Sequence, residues 1–161
     1  MTLSPLTAAR EVIELHAFLE AWFRGALPKT EEAFERLSRA WPPAFRLVSP
    51  EHHTLEAAAL LRQTYEEHAA YPNLRIEVRD ASSTLAISGS VAIVVYEERH
   101  IDRGSVDARF CSAILAEGES NSLPVWLHVH ESRIVHPRVR PNPSLERTAT
   151  GLALGPRGAQ A

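Results

Sequence analysis

The chain has 161 residues, a length suited to one domain of ordinary size, and its 45% hydrophobic and 23% charged residues are those of a globular protein. Net charge is −3, but residues 137–161 hold four arginines against one glutamate, so the preceding body has 13 basic and 19 acidic residues. An acidic body argues against a general nucleic-acid surface and against attraction to an anionic membrane.

Ser4-Pro5 is an N-cap and first-turn pair. Val12, Ile13, His16, Leu19, Trp22 and Phe23 follow at helical spacing, and Gly25 stops the helix. Thr30 with Glu31 and Glu32 starts a second helix, since acids favour the positive end of the helix dipole. Phe34, Leu37 and Trp41 form its apolar stripe, and Pro42-Pro43 ends it. Phe45-Arg46-Leu47-Val48 reads as a short strand closed by Ser49-Pro50. Thr54 then caps a third helix, with Leu55, Ala58, Leu61 and Tyr65 as its apolar set.

The remainder is β. Residues 74–87 form one strand, with a break expected near Ala81-Ser82-Ser83, and Gly89 marks a hairpin. The next strand runs from Val91 to His100. Asp102-Arg103-Gly104 turns the chain into a strand from Val106 to Ala116. A polar loop, 117–124, leads to the closing strand, Val125 to Val135. Helices followed by an antiparallel meander make an α+β fold. The expected domain is residues 1–136. The tail, 137–161, has four prolines, three glycines and no aromatic residue, and is expected to stay disordered.

Val91-Ala92-Ile93-Val94-Val95 lacks polar alternation, so both its faces need cover. Helices can cover one face. A second copy of the chain is the simplest cover for the other, which predicts a homodimer packed through the sheet. Cys111 is the only cysteine, so no intramolecular disulfide forms. With no signal peptide and no bilayer-length apolar run in view, the expected compartment is the cytoplasm. Lys29 is the only lysine and sits beside a helix start, which argues against Schiff-base chemistry.

Trp126-Leu127-His128-Val129-His130-Glu131-Ser132 is the most distinctive stretch. Read with a two-residue period, Trp126, His128, His130 and Ser132 share one face, and Leu127, Val129 and Glu131 the other. That first face resembles a pocket wall. Tyr96, Glu98 and His100 share a face of their strand, where the residue types change from apolar to polar. Arg109, in mid-strand, must pair or meet solvent; facing a cavity it suits a carboxylate ligand, and facing a partner chain an intersubunit ion pair. The expected ligand-binding set is Tyr96, Glu98, Arg109, Trp126, His128 and His130, with His128, His130 and Glu98 the candidates for acid–base work. His16, on an apolar stripe, reads as a satisfied core histidine, and Cys111 as a buried inert thiol. His-x-His supplies only two metal ligands, so no metal site and no cofactor is expected.

The element order resembles the nuclear transport factor 2-like superfamily, including its SnoaL-like and uncharacterised bacterial members. Three local matches carry the resemblance: Phe45-Arg46-Leu47-Val48-Ser49-Pro50; Tyr96-Glu97-Glu98 with Arg109 and Ser112-Ala113-Ile114-Leu115; and Trp126 through Ser132. It covers roughly residues 7–135. It implies a cone-shaped curved antiparallel sheet with three N-terminal helices on its concave face, and a pocket. It does not imply a reaction, since the superfamily holds polyketide cyclases, ketosteroid isomerases, dehydratases, the association domain of calmodulin-dependent kinase and proteins of no known activity. The expected function is binding of a small organic molecule in a polar pocket, with cofactor-independent isomerisation, dehydration or cyclisation as the chemistry. The alternatives are a non-catalytic association module and, more weakly, a metal-dependent enzyme.

Overall fold

The computed structural model describes residues 3–88, 90–119 and 123–135. The expected hairpin at Gly89 and the tail 137–161 lie outside these residues. The elements are α1 (Pro5–Phe23), α2 (Glu31–Ala40), β1 (Arg46–Val48), β2 (Thr54–Glu56), α3 (Ala57–Glu66), β3 (Arg75–Ser88), β4 (Val91–Asp102), β5 (Ser105–Ala116) and β6 (Val125–Arg133). One curved sheet has the order β2-β1-β6-β5-β4-β3. It is an open α+β arrangement, and its sheet is mixed: β1 runs parallel to β6, and the other pairs are antiparallel.

The helix ends follow their capping residues. Ser4 Oγ accepts from the Thr7 backbone N–H at 3.0 Å, and Thr30 Oγ1 from that of Ala33 at 3.2 Å. Gly25 ends α1 at φ +73°; a Cβ there would lie 2.7 Å from the Ala69 Cβ, so glycine is required. The third helix departs from expectation. Thr54 does not cap it but opens β2, and the helix starts at Ala57. His52, at φ 64°, and the Ser49 hydroxyl, which accepts from the Glu51 and His53 amides, turn the chain back so that Thr54 pairs with Val48.

Two irregularities bend the sheet. In β3 the register jumps between Arg79 and Ser82, with Asp80 at φ 52°, at the break expected from Ala81-Ser82-Ser83. In β6 it slips by one residue: Ile114 pairs with His128, but Leu115 pairs with Trp126, so Leu127 is an extra residue in the ladder.

Helices and the inner sheet face enclose the core. Trp22, fully buried, donates its indole N–H to the Thr64 carbonyl at 2.8 Å and ties α1 to α3. Trp126 is 2% exposed and donates to Glu11 Oε1 at 3.1 Å. Glu11, also 2% exposed, takes Arg36 Nη2 on both oxygens at 2.9 and 2.8 Å. This buried carboxylate joins α1, α2 and β6. Removing it strands a guanidinium and an indole N–H. Glu11→Ala is expected to lower the unfolding free energy by about 3 kcal/mol, read by urea denaturation; a loss under about 1 kcal/mol, the size of an ordinary surface substitution, would contradict the linking role.

Candidate functional site

Cross-strand pairing assigns the faces. Tyr96 opposes Cys111 and Glu98 opposes Arg109 on β4 and β5, and Cys111 opposes Glu131 on β6. All five therefore share the concave face. The extra residue at Leu127 resets the period of β6. Trp126, Val129 and Glu131 point inward, and their burial follows: each is 6% exposed or less. His128 and His130 oppose Ile114 and Ser112 on the outer face, and His130 is exposed. This corrects the reading of Trp126, His128, His130 and Ser132 as one wall. A strict period of two cannot anticipate a bulge.

The concave face and helices enclose a chamber of about 140 Å³. Leu15, His16 and Leu19 of α1 line it, as do Trp41, Phe45 and Leu47 from the α2–β1 region, with Tyr96, Glu98, Arg109, Trp126 and Glu131 across the sheet. It adjoins an outer cleft of about 590 Å³ and shares Phe23, Leu47, Thr64, His100, Arg109 and Glu131 with it. That volume is within the usual range for small-molecule sites, about 300–1,000 Å³. A wider hollow of about 790 Å³ between α2 and the segment before β6 is walled by surface ion pairs such as Glu35–Arg39.

The chamber floor is charged. Glu98, 5% exposed, accepts from His100 Nε2 and lies 3.3 Å from His16 Nε2. The Cys111 thiol donates to its second oxygen at 3.7 Å. His16 Nδ1 donates to the Val12 carbonyl at 2.7 Å. Both ring nitrogens of His16 thus face acceptors, a geometry only the doubly protonated imidazolium satisfies. Burial works against that charge, but Glu98 beside the ring outweighs it and holds the His16 pKa above its ordinary value. Burial likewise opposes ionisation of Glu98, and the charge of His16 with the His100 hydrogen bond holds it well below the usual carboxylate range.

Arg109 is fully engaged. Nη2 and Nε donate to Asp107 Oδ2 at 2.8 and 3.2 Å, and Nη1 to Glu131 Oε2 at 2.9 Å. Burial and the nearby Glu98 charge raise the Glu131 pKa, against the pull of Arg109. Burial pushes the Tyr96 phenol well up and the Cys111 thiol up, so both keep their protons. Cys111 is therefore inert, as its sequence context implies. His16 is satisfied in hydrogen bonding, yet it is part of the cavity floor.

One trio among the described residues, Glu98, Cys111 and Glu131, has donor atoms within 4.8 Å of one another. Its carboxylates already face His16, His100 and Arg109, and its thiol holds its proton, so the set is ill suited to a cation. His128 and His130 are in no such trio among the described residues.

Sequence reasoning missed Glu131 and Trp41. Glu131 was assigned to the wrong face by the unbroken period. Trp41, at the C-terminal end of α2, is in sequence only a member of that helix's apolar stripe, and nothing in its neighbours signals an unpaired indole.

Compared with protein-family models and with curated proteins, the sequence matches none. Solved structures resemble it. An NTF2-like protein of unknown function from Pseudomonas aeruginosa shares 23% identity over 80% of this chain and 98% of that one, with a TM-score of 0.70. A CaMKII hub from S. rosetta shares 13% identity over 83% and 99%, with a TM-score of 0.61. An NTF2-like protein of unknown function in nutrient uptake from Rhodospirillum rubrum shares 15% identity over 79% and 98%, with a TM-score of 0.58. The fold is that of the NTF2-like superfamily. Among the described residues no helix is long and apolar enough to cross a membrane.

The His16–Glu98 pair predicts a pH dependence. With a folded pKa above 6.5, His16 contributes fully below that pH and loses its contribution as pH rises through the folded value. With a folded pKa below 4.5, Glu98 contributes fully above that pH and loses its contribution as pH falls through the folded value. The stability difference between wild type and His16→Gln is therefore expected to be largest between about pH 4.5 and 6.5 and to shrink toward alkaline pH. Urea titrations across pH measure it, and a flat difference would show that the pair is not ionic.

Proposed function

We propose that this protein binds a small organic molecule in the cavity between its helices and the concave sheet face. The single observation behind this reading is the charged cavity floor. Burying Glu98, Glu131 and His16, with Arg109 half-buried beside them, costs desolvation that apolar side chains would avoid, and such clusters in a cleft are a mark of functional sites. Tyr96, Glu98, Arg109 and Trp126 are the wall residues of that site, joined by His16, His100 and Glu131. The chemistry the site suits is proton transfer without a cofactor, as in isomerisation, dehydration or cyclisation. Glu98 is a poor base because its charge is held by three donors. Glu131, whose pKa is raised, is the better proton acceptor. Native mass spectrometry of protein purified from cells tests the reading. A retained small mass, lost on denaturation and absent in His100→Ala, is expected. The bare polypeptide mass, with no thermal shift across a small-molecule library, would count against it.

A second reading, self-association, is compatible with the first and rests on the outer face. Ile93, Val95 and Ile114 are only half-buried there, and Phe110 is 51% exposed. Pairs in register, Ile93 with Ile114 and Val95 with Ser112, make these residues a continuous strip. The likeness to CaMKII hubs supports assembly through such a fold. In this reading the sheet faces of two copies pack together, and His128 and His130 lie at that interface instead of in the pocket. Sedimentation velocity at micromolar concentration should give a dimer for wild type and a monomer for Phe110→Asp. A monomeric wild type rejects the homodimer.

A further inference from the structure

His100 lines both the inner chamber and the outer cleft. It follows Glu98 by two positions on β4 and opposes Asp107 on β5, so its ring stands on the concave face. Nε2 donates to Glu98 Oε1, an ionised carboxylate that can only accept. That bond fixes the tautomer: in the neutral ring the proton is on Nε2 and the lone pair is on Nδ1. Among the described residues Nδ1 has no partner. It is also open. The unpaired side-chain atoms sealed from water among the described residues are Trp41 Nε1 and Asp102 Oδ1, and His100 Nδ1 is not one of them. The His100 side chain keeps 27% of its surface, and on the concave side that surface faces the cleft.

Glu98 is itself held in place. His16 Nε2 lies 3.3 Å from its second oxygen, and the Cys111 thiol donates to that oxygen at 3.7 Å. A fixed carboxylate, a ring oriented by it and an open ring nitrogen are the parts of a positioned base. The charges around the ring are already answered. Arg109 donates to Asp107 and Glu131, and Arg133 pairs with Glu51 and Asp107. A carboxylate ligand brings no donor for Nδ1, and the Arg109 guanidinium beside it is neutralised by two carboxylates. A protonated amine meets Glu98, Asp107 and Glu131 already paired with His16, Arg109 and Arg133. Glu67 and Asp102, which have no cationic partner among the described residues, line the outer cleft but not the chamber. Phe23, Leu47, Leu55, Leu60 and Leu74 give the cleft an apolar wall.

We propose that His100 Nδ1 receives the hydroxyl hydrogen of the ligand, and that the ligand is a neutral organic molecule with an apolar body and a hydroxyl group. Glu98 is the positioning residue behind the ring. In a proton-transfer reaction the same nitrogen takes that proton: the ligand O–H bond breaks, its electron pair stays on the oxygen, and Nε2–H stays on Glu98. The proposal rests on the small-molecule reading above, but it fails separately from it.

The test uses ¹⁵N-labelled full-length protein at mildly alkaline pH and three matched probes: benzyl alcohol, benzyl methyl ether and benzylamine. Long-range ¹H–¹⁵N spectra report each imidazole nitrogen, and the His100 signals are the pair lost in His100→Phe. In the free protein Nε2 is expected to carry the proton and Nδ1 to be bare. Benzyl alcohol should shift the Nδ1 signal saturably and bind about five- to tenfold more tightly than the ether, the worth of one neutral hydrogen bond. In His100→Phe, checked for retained fold by its amide spectrum, that difference should vanish; if the variant does not fold, the wild-type tautomer and the alcohol-to-ether ratio decide. A protonated Nδ1 in the free protein, or equal affinity for alcohol and ether, overturns the proposal while leaving a small-molecule cavity intact. Tighter binding of benzylamine overturns the neutral class. No saturable shift of any signal with any probe overturns the proposal together with the cavity reading.

Discussion

A single extra residue in β6, Leu127, is the constraint on which the cavity depends. It lets Trp126 point inward two positions before the ladder resumes, so that Val129 and Glu131 follow on the same side. Without it, Trp126 and Glu131 would occupy opposite faces. Trp126 could not reach Glu11 while Glu131 reached Arg109. The indole link to α1 and the ion pair at the cavity floor both follow from this one irregularity. Bulges commonly re-aim side chains beside functional sites, and here the bulge exchanges a histidine pair for a carboxylate.

The floor that results is polar but internally balanced. His16 answers Glu98, and Arg109 answers Asp107 and Glu131. Such a cluster adds little net stability, because desolvation offsets most of the attraction. Its cohesion has another effect: each member is held in one geometry by its neighbours. In the same wall, Trp41 Nε1 is buried without a partner.

The two sheet faces differ in character. The concave face, with α1 over β3 and β4, holds the cavity. The outer face carries the half-buried aliphatic strip, Phe110 and the two histidines. Neighbours that share this fold include CaMKII hubs and NTF2-like proteins of unknown function, so the fold alone does not choose between binding and assembly. In this chain the cavity and the strip are on opposite sides of the sheet, so the two proposed functions do not compete for one surface.

Much of the fold was legible in the sequence because its signals are local. Ser4-Pro5, Thr30 with its following acids, Gly25 and Asp102-Arg103-Gly104 mark their helix ends and turn through short-range hydrogen bonding and backbone preference. Alternation also puts Tyr96, Glu98 and His100 on one face of β4, but the side taken by Arg109 in β5 follows only once Glu98 is known to oppose it. Thr54 misled because a capping residue and a strand-opening residue look alike until Val48 is known to pair with it. His128 and His130 misled because a bulge leaves no trace in a two-residue period. Local sequence signals suffice for the three helices, the short β1 and the four long strands in their order, and for the polar content of the sheet, but not for β2. Only the tertiary structure decided which of those polar residues meet, since ladder register, the parallel β1–β6 pairing and the approach of His16 from α1 are set by contacts between residues far apart in the chain.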